Sequence, residues 1–382
     1  MHFDVAIVGA SFAGLAAAKS AASRGLSVVV IEAKREPGAR VHTSGILVRE
    51  AIEEIDIPHR LTRRVPGVRL YAPNLASVDL FSPGYAFFTT ATADLIRWMA
   101  AEARDAGATI VCATRFAGAT RHGDLIRLEG IDITTRFLIG ADGARSRVAE
   151  AFGLSTNRRF LTGVEVELEP DDAIDPRLLH CFADSRLAPG YMAWAAPGPD
   201  IIQLGLAVGH GRRPDLAAFM ERTEKAFGWS KLKVVGRRSG LIPCGGPLSR
   251  IAAPGVLLIG DAAGWVSPMT GGGIRLAFKY GRRAANLVAD HLINGGPQPH
   301  HALQREVPHF RAKTLMRAAL DLAPPNALIN AGLGLAPMRR FAEQLYFHRR
   351  NDEGVDREKF LSWMENQAGA TTQCEPVRPS DG

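Results

Sequence analysis

Glycines cluster beside carboxylates at three places in the chain, and each cluster follows an apolar run. The first is Gly9-Ala10-Ser11-Phe12-Ala13-Gly14, with Glu32 at the end of the next apolar run. A glycine at a strand end permits a sharp turn, and a small residue at position 11 lets backbone N–H groups approach a diphosphate. Ala13 continues the small-residue run, and Gly14 permits close helix–strand packing. Glu32 is suited to accept from two ribose hydroxyls and would repel a 2′-phosphate. Serine stands where the pattern usually carries its middle glycine. Motif, setting and acid together still predict a dinucleotide site at Gly9, Ser11, Ala13, Gly14 and Glu32.

The second cluster, Gly140-Ala141-Asp142-Gly143-Ala144-Arg145-Ser146, delivers Asp142 into a turn beside a basic residue. Alone, this is a common turn. The third runs from Gly260-Asp261-Ala262-Ala263-Gly264 through Pro268-Met269-Thr270 to Gly271-Gly272-Gly273-Ile274. Asp261 suits a sugar or ribityl hydroxyl. Gly271, Gly272 and Gly273 open a helix and offer bare backbone N–H groups to an anion or an electron-rich oxygen.

The elements that must hold these residues are legible from periodicity. Residues 4–8 read as a buried parallel strand, residues 11–24 as a helix closed by Gly25, and residues 27–31 as a second strand. A right-handed crossover sets the two strands side by side. The α/β pattern returns in a helix at 94–106, strands at 136–140 and 255–259, and a helix at 273–293. In contrast, 68–92 and 160–241 hold short β-branched and aromatic runs broken by glycine and proline, which predict antiparallel sheet. The expected fold class is α/β: a Rossmann-like nucleotide-binding domain (1–67, 93–155 and 251–300) carrying a discontinuous β-sheet substrate domain (68–92 and 156–250). A helical segment follows at 301–350, broken at Pro324-Pro325, and 351–382 reads as a loose polar tail.

Composition narrows the function classes. The chain has 382 residues, a net charge of +7, 46% hydrophobic and 22% charged residues, which excludes a wholly disordered chain, collagen and coiled coil. Cys112, Cys181, Cys244 and Cys374 show no CxxC spacing, so neither a zinc site nor a disulfide framework is expected. The N-terminus does not read as a signal peptide, and the best apolar window is interrupted by Asp261. A cytoplasmic protein is expected. No basic stripe with interleaved aromatics points to nucleic acid. Arg339-Arg340 and His348-Arg349-Arg350 flank apolar residues, where peripheral contact with anionic lipid and a solvated helix face are equal readings.

In order and spacing, the three clusters resemble the flavoprotein monooxygenases and their relatives with the glutathione-reductase type of FAD fold. Within that group the chain is most similar to the geranylgeranyl reductase family. The likeness spans roughly residues 1–300 and includes Pro243-Cys244-Gly245-Gly246-Pro247-Leu248. It also includes Tyr191, Trp194 and Pro197, which are similar to the family's Tyr-x-Trp-x-x-Pro signature. Aromatic hydroxylases usually carry histidine where Gly264 stands and asparagine at Ile274. The resemblance implies noncovalent FAD held by the three clusters, including Gly260 and Ile274, with Arg40 near its phosphate or flavin. It also implies an FAD-dependent oxidoreductase that reduces carbon–carbon double bonds of an isoprenoid lipid. Tyr191 and Trp194 would line the substrate's cavity. An apolar-substrate monooxygenase and a flavin-bound lipid sensor without turnover are the alternatives.

The chain also departs from the family. Ser44 stands where many members have a cysteine, Thr90 where an arginine is frequent, and Ala195-Ala196 replaces part of the signature. His42 and Ser44 are therefore weak candidates for proton transfer; a lone loop histidine is more often simply solvated. No second Gly-x-Gly-x-x-Gly run marks a resident nicotinamide site, which leaves NAD(P)H as a transient visitor or ferredoxin as the electron donor. Arg275 opposes the dipole of its helix, a sign of either a nearby anion or a surface ion pair. Cys244 reads as packing.

Overall fold

The computed structural model describes residues 1–347. The expected tail at 351–382, Cys374 and the basic cluster at 348–350 lie outside the described residues. Two large sheets organise the chain. The first is built on β1 (His2–Val8), β2 (Val28–Ile31), β7 (Thr109–Val111), β10 (Thr134–Gly140) and β17 (Val256–Leu258), all parallel, in the order β17-β10-β1-β2-β7. Antiparallel β16 (Ala252–Ala253) extends one edge, and the hairpin β8 (Ala119–His122) and β9 (Leu125–Leu128) joins the start of β10. These strands are almost continuously apolar because helices cover them.

Helix α1 (Phe12–Ala22) lies between this sheet and α6 (Ile274–Asn294), with α3 (Thr92–Asp105) beside it. Its alanines explain the tight fit: a Cβ at Gly281 of α6 would come 2.5 Å from the Ala13 carbonyl oxygen. A Cβ at Gly14 would strike the Gly9 carbonyl oxygen, so only glycine lets α1 leave the turn after β1 at this angle. Short helices α2 (Arg49–Ile52) and α4 (Arg147–Ala151) punctuate the connections.

The second sheet runs β15-β11-β14-β13-β12-β4-β5. Its strands are β4 (Gly67–Tyr71), β5 (Ser77–Phe81), β11 (Phe160–Leu168), β12 (Leu178–Phe182), β13 (Ala193–Pro197), β14 (Ile202–Val208) and β15 (Val234–Pro243). It is antiparallel except where β4 meets β12, which pair in parallel. That seam joins two separate insertions, so no hairpin turn dictates strand direction there. A two-stranded ribbon of β3 (Thr62–Val65) and β6 (Phe87–Thr90) stands apart. One face of the large sheet is sealed by α5 (Leu216–Phe227) around Phe182, Phe219 and Trp229. The opposite face looks toward the parallel sheet.

Four helices close the described chain: α7 (Pro299–Arg305), α8 (Arg311–Asp321), α9 (Asn326–Gly332) and α10 (Ala336–Phe347). The proline pair falls between α8 and α9. Phe347 and Ala342 of α10 pack with Tyr85 and Phe87.

Candidate active site

A cavity of about 1590 Å³ lies between the two sheets, above the roughly 300–1,000 Å³ usual for one small ligand. It begins at the C-terminal ends of the parallel strands, where open α/β sheets bind ligands. Gly9, Ser11, Ala13 and Glu32 line that end; so do Asp142, Gly260, Asp261 and residues 271–274. Arg40, His42, Ser44, Tyr191 and Trp194 line its course toward the second sheet. Gly14 alone of the sequence-predicted residues sits behind the wall, in the helix–strand contact described above.

Local geometry sorts these residues by what they have left to offer. Helices α1 and α6 start without side-chain caps and without acidic residues in their first turns. Their backbone N–H groups and positive dipole ends are thus open to an anion. Glu32 is buried and accepts from the Ala10 N–H at 2.7 Å and the Lys34 N–H at 2.8 Å, one on each oxygen. Each oxygen retains a lone pair. Asp142 has a local task as well. Its carboxylate accepts from Ser146 Oγ at 2.6 Å and from the Arg147 and Val148 N–H groups at 2.7 and 3.1 Å. These bonds shape its own turn into α4 and leave it less to offer than Asp261. Asp261 is the free one. Burial pushes its carboxyl from an ordinary 3.8 up to about 6, with no compensating partner among the described residues.

The wall facing these motifs is tied down by hydrogen bonds. The Tyr191 hydroxyl donates to the Thr270 carbonyl at 2.5 Å, fastening the glycine turn to the β domain, and burial raises its pKa. His42 is exposed; its Nδ1 donates to the Ser239 carbonyl at 2.8 Å, which fixes the tautomer. Thr92 Oγ1 donates to the Ser44 carbonyl at 3.1 Å, and Thr90 Oγ1 to the Gly45 carbonyl at 2.9 Å. Thr90, in place of a frequent arginine, therefore holds the 42–45 loop. Arg275 Nε lies 3.9 Å from Glu54 Oε1, beyond a hydrogen bond, and Glu54 is held more closely by Arg282. Cys244 is buried against Leu161 and Ala207, in keeping with packing.

Sequence reading missed Glu165 and Arg238. Both line the cavity, and Trp194 Nε1 donates to Glu165 Oε2 at 2.9 Å. The available signal was the alternation Val164-Glu165-Val166-Glu167, with valines on one strand face and acids on the other. The far end of the cavity was also unanticipated: Ile329 of α9, Leu333 of the segment after it, and Phe341, Leu345 and Tyr346 of α10 form an apolar wall.

Comparison with known proteins decides the family. Residues 2–318 match the FAD binding domain family. The digeranylgeranylglycerophospholipid reductase of Methanothrix thermoacetophila is 32% identical over 320 residues, 77% of this chain and 80% of that protein. The chain belongs to the geranylgeranyl reductase family of FAD-dependent oxidoreductases. A geranylgeranyl bacteriochlorophyll reductase-like protein from Thermoplasma acidophilum shares the fold, with a TM-score of 0.78, 20% identity and coverage of 96% of this chain and 99% of that one. So does PqsL of Pseudomonas aeruginosa, solved with 2-aminobenzoylacetate, at a TM-score of 0.67, 19% identity and coverage of 91% and 100%. The fold is thus common to proteins with unlike ligands, and the site must decide the chemistry. For a geranylgeranyl reductase family member the residues present fit FAD. Uncapped helix starts would suit its diphosphate, and the Asp261 carboxyl, unpartnered among the described residues, would suit hydroxyl donors such as FAD carries. Within the described residues no helix is long and apolar enough to cross a membrane.

Proposed function

We propose that this protein saturates carbon–carbon double bonds of a prenyl lipid. FAD, when bound and reduced, supplies a hydride equivalent to the alkene. The first turns of α1 and α6 would hold its diphosphate and flavin oxygens, Glu32 its ribose hydroxyls, and Asp261 its ribityl chain. Arg40 would face the phosphate or the flavin edge. Trp194 and the residues around it would pack the prenyl chain and exclude water from the reacting carbons. Reducing equivalents would come from NAD(P)H or a ferredoxin acting without a resident nicotinamide fold.

One observation carries this reading. The cavity continues past the dinucleotide motifs, along Trp194, into an apolar end walled by α9 and α10. A compact polar substrate would not need that length. Beside the apolar end, Leu328, Leu335, Met338 and Phe341 are exposed. Such a patch, with Arg339 and Arg340 alongside, suits docking on an anionic bilayer, from which the lipid tail would enter. The deciding experiment is anaerobic incubation of reduced holoenzyme with digeranylgeranyl glycerophospholipid, read by product mass. A gain of hydrogen in pairs is expected. A gain of one oxygen after air is admitted would establish a monooxygenase instead. No product from bound, reducible flavin would overturn the reading.

A further inference from the structure

The reduction of an alkene needs a proton as well as a hydride, and the two residues expected to supply it are poorly suited. His42 is exposed and spends its Nδ1 proton on a carbonyl. Ser44 carries an aliphatic hydroxyl, a weak acid. Burial pushes the Cys181 thiol up to about 11 and the Tyr191 hydroxyl is committed to Thr270, while the carboxyls of Glu32, Asp142 and Asp261 stand at the dinucleotide end of the cavity. We propose that Glu165 Oε1 is the proton donor for the second hydrogen added to the substrate, an inference that rests on the functional reading above.

Strand register places the group. Across the second sheet, Arg238 of β15, Glu165 of β11, Gly205 of β14 and Trp194 of β13 stand in one row. Gly205 lacks a side chain, and a Cβ there would come 2.7 Å from the Trp194 ring. The indole therefore lies flat over β14 and reaches Glu165 Oε2 at 2.9 Å. Glu165 Oε1 is buried without a hydrogen-bond partner among the described residues, in a residue that lines the cavity. An acceptor-only carboxylate in such a place would be costly; a carboxylic acid has a proton to present.

The neighbouring charges are arranged to permit both forms. Among the described residues two charged groups face Glu165: Glu167 on its own strand and Arg238 on β15, while β13 and β14 present only the indole and a glycine. Arg238 is occupied elsewhere. Its Nη2 pairs with Glu167 Oε1, and its Nη1 donates to the Thr43 carbonyl at 2.9 Å. The closest approach to Glu165 is 3.7 Å from Nη1, beyond a hydrogen bond. Arg238 thus attracts the conjugate base without abolishing the acid. Burial, the largest influence, brings the carboxyl up to about 7, close to the value that suits an acid working near neutrality.

The balance is simple. Two electrons and one hydrogen reach one alkene carbon as hydride from reduced FAD. The Glu165 O–H bond breaks as a C–H bond forms at the other carbon, and the carboxylate then takes a proton from water. The test uses FAD-loaded enzyme and Glu165→Gln, which keeps an acceptor for Trp194. The variant should retain flavin and KM while kcat falls about 100-fold or more. Wild-type kcat should decline as pH rises above about 7, and the variant's residual rate should not follow that limb. A second readout needs no turnover: an infrared pH titration of substrate-free holoenzyme should show a protonated-carboxyl band that disappears near that pH and is missing in the variant. Should Glu165→Gln fold poorly, Glu165→Asp should lower kcat yet keep the pH limb. A variant within threefold of wild type, or a Glu165 already ionised at pH 5, overturns the proposal. Wild-type enzyme that reduces no prenyl lipid overturns the functional reading instead, and this proposal with it.

Discussion

Replacing Asp261 by asparagine should move cofactor affinity and apoprotein stability in opposite directions. The carboxyl is held at about 6 against an ordinary 3.8, with burial as the cause. In the folded apoprotein the proton is therefore bound more tightly than in the unfolded chain. The neutral acid's contribution to stability is complete below about pH 4 and is lost as pH rises through about 6; above that, the buried charge is a net cost. The difference of roughly two pH units sets an upper limit of about 3 kcal/mol. Water in the cavity screens the group, so about 1–2 kcal/mol is expected. Asparagine does not titrate. Flavin-free Asp261→Asn should thus be more stable than wild type at pH 8 and no more stable at pH 4, by urea unfolding. FAD binding should respond the other way. Hydrogen bonds to a charged acceptor contribute about 1.5–3 kcal/mol, so the variant's Kd should rise about 10- to 150-fold. Wild-type affinity should weaken as pH falls through about 6, and the variant's should not. If stability and affinity fall together at pH 8, Asp261 is a packing residue and its assignment as a cofactor acceptor is wrong.

Trp194→Ala should weaken binding of a prenyl lipid at least tenfold while leaving flavin content unchanged, because its ring lines the cavity beyond the dinucleotide motifs; unaltered lipid affinity in folded, flavin-replete protein would contradict that placement. The same variant removes the indole donor from Glu165 Oε2, so the infrared midpoint of Glu165 should move upward. Leu328→Asp with Leu335→Asp, both exposed and neither lining the cavity, should abolish co-sedimentation with anionic vesicles and spare turnover of detergent-dispersed substrate. Loss of both activities together would place these residues in the folded core rather than on a docking face.

Much of the nucleotide-binding half was legible in order along the chain. Its decisive features are local: a strand that ends in glycine, a helix that starts immediately after, an acid at the end of the next strand. Backbone geometry at Gly9 and packing at Gly14 are dictated by residues only a few positions apart, so motif, element and cofactor class could be read together. Family membership followed from the same contiguous runs. Asp142 shows where that reading weakens, since an acid in a turn looks alike whether it serves a ligand or its own helix. Only the placed neighbours Ser146, Arg147 and Val148 reveal its hold on α4.

The substrate half was decided by tertiary structure. Alternation along β11 shows that Glu165 and Glu167 share a face, but a solvated face and a cavity wall have the same pattern. The row Arg238–Glu165–Gly205–Trp194 arises from pairing strands far apart in sequence, and the parallel seam of β4 and β12 joins separate insertions. Such registers are set by the mutual burial of distant apolar faces and by the closing of the loops between them, neither of which any single segment encodes. For the same reason the stretch that forms α9 and α10 reads in sequence only as part of a helical segment. Their role as the far wall of the cavity exists only once they lie across the sheet. The chain's own residue order thus determined what the protein can hold, through local backbone geometry; the packing of remote segments decided which carboxyl stands where a proton is needed.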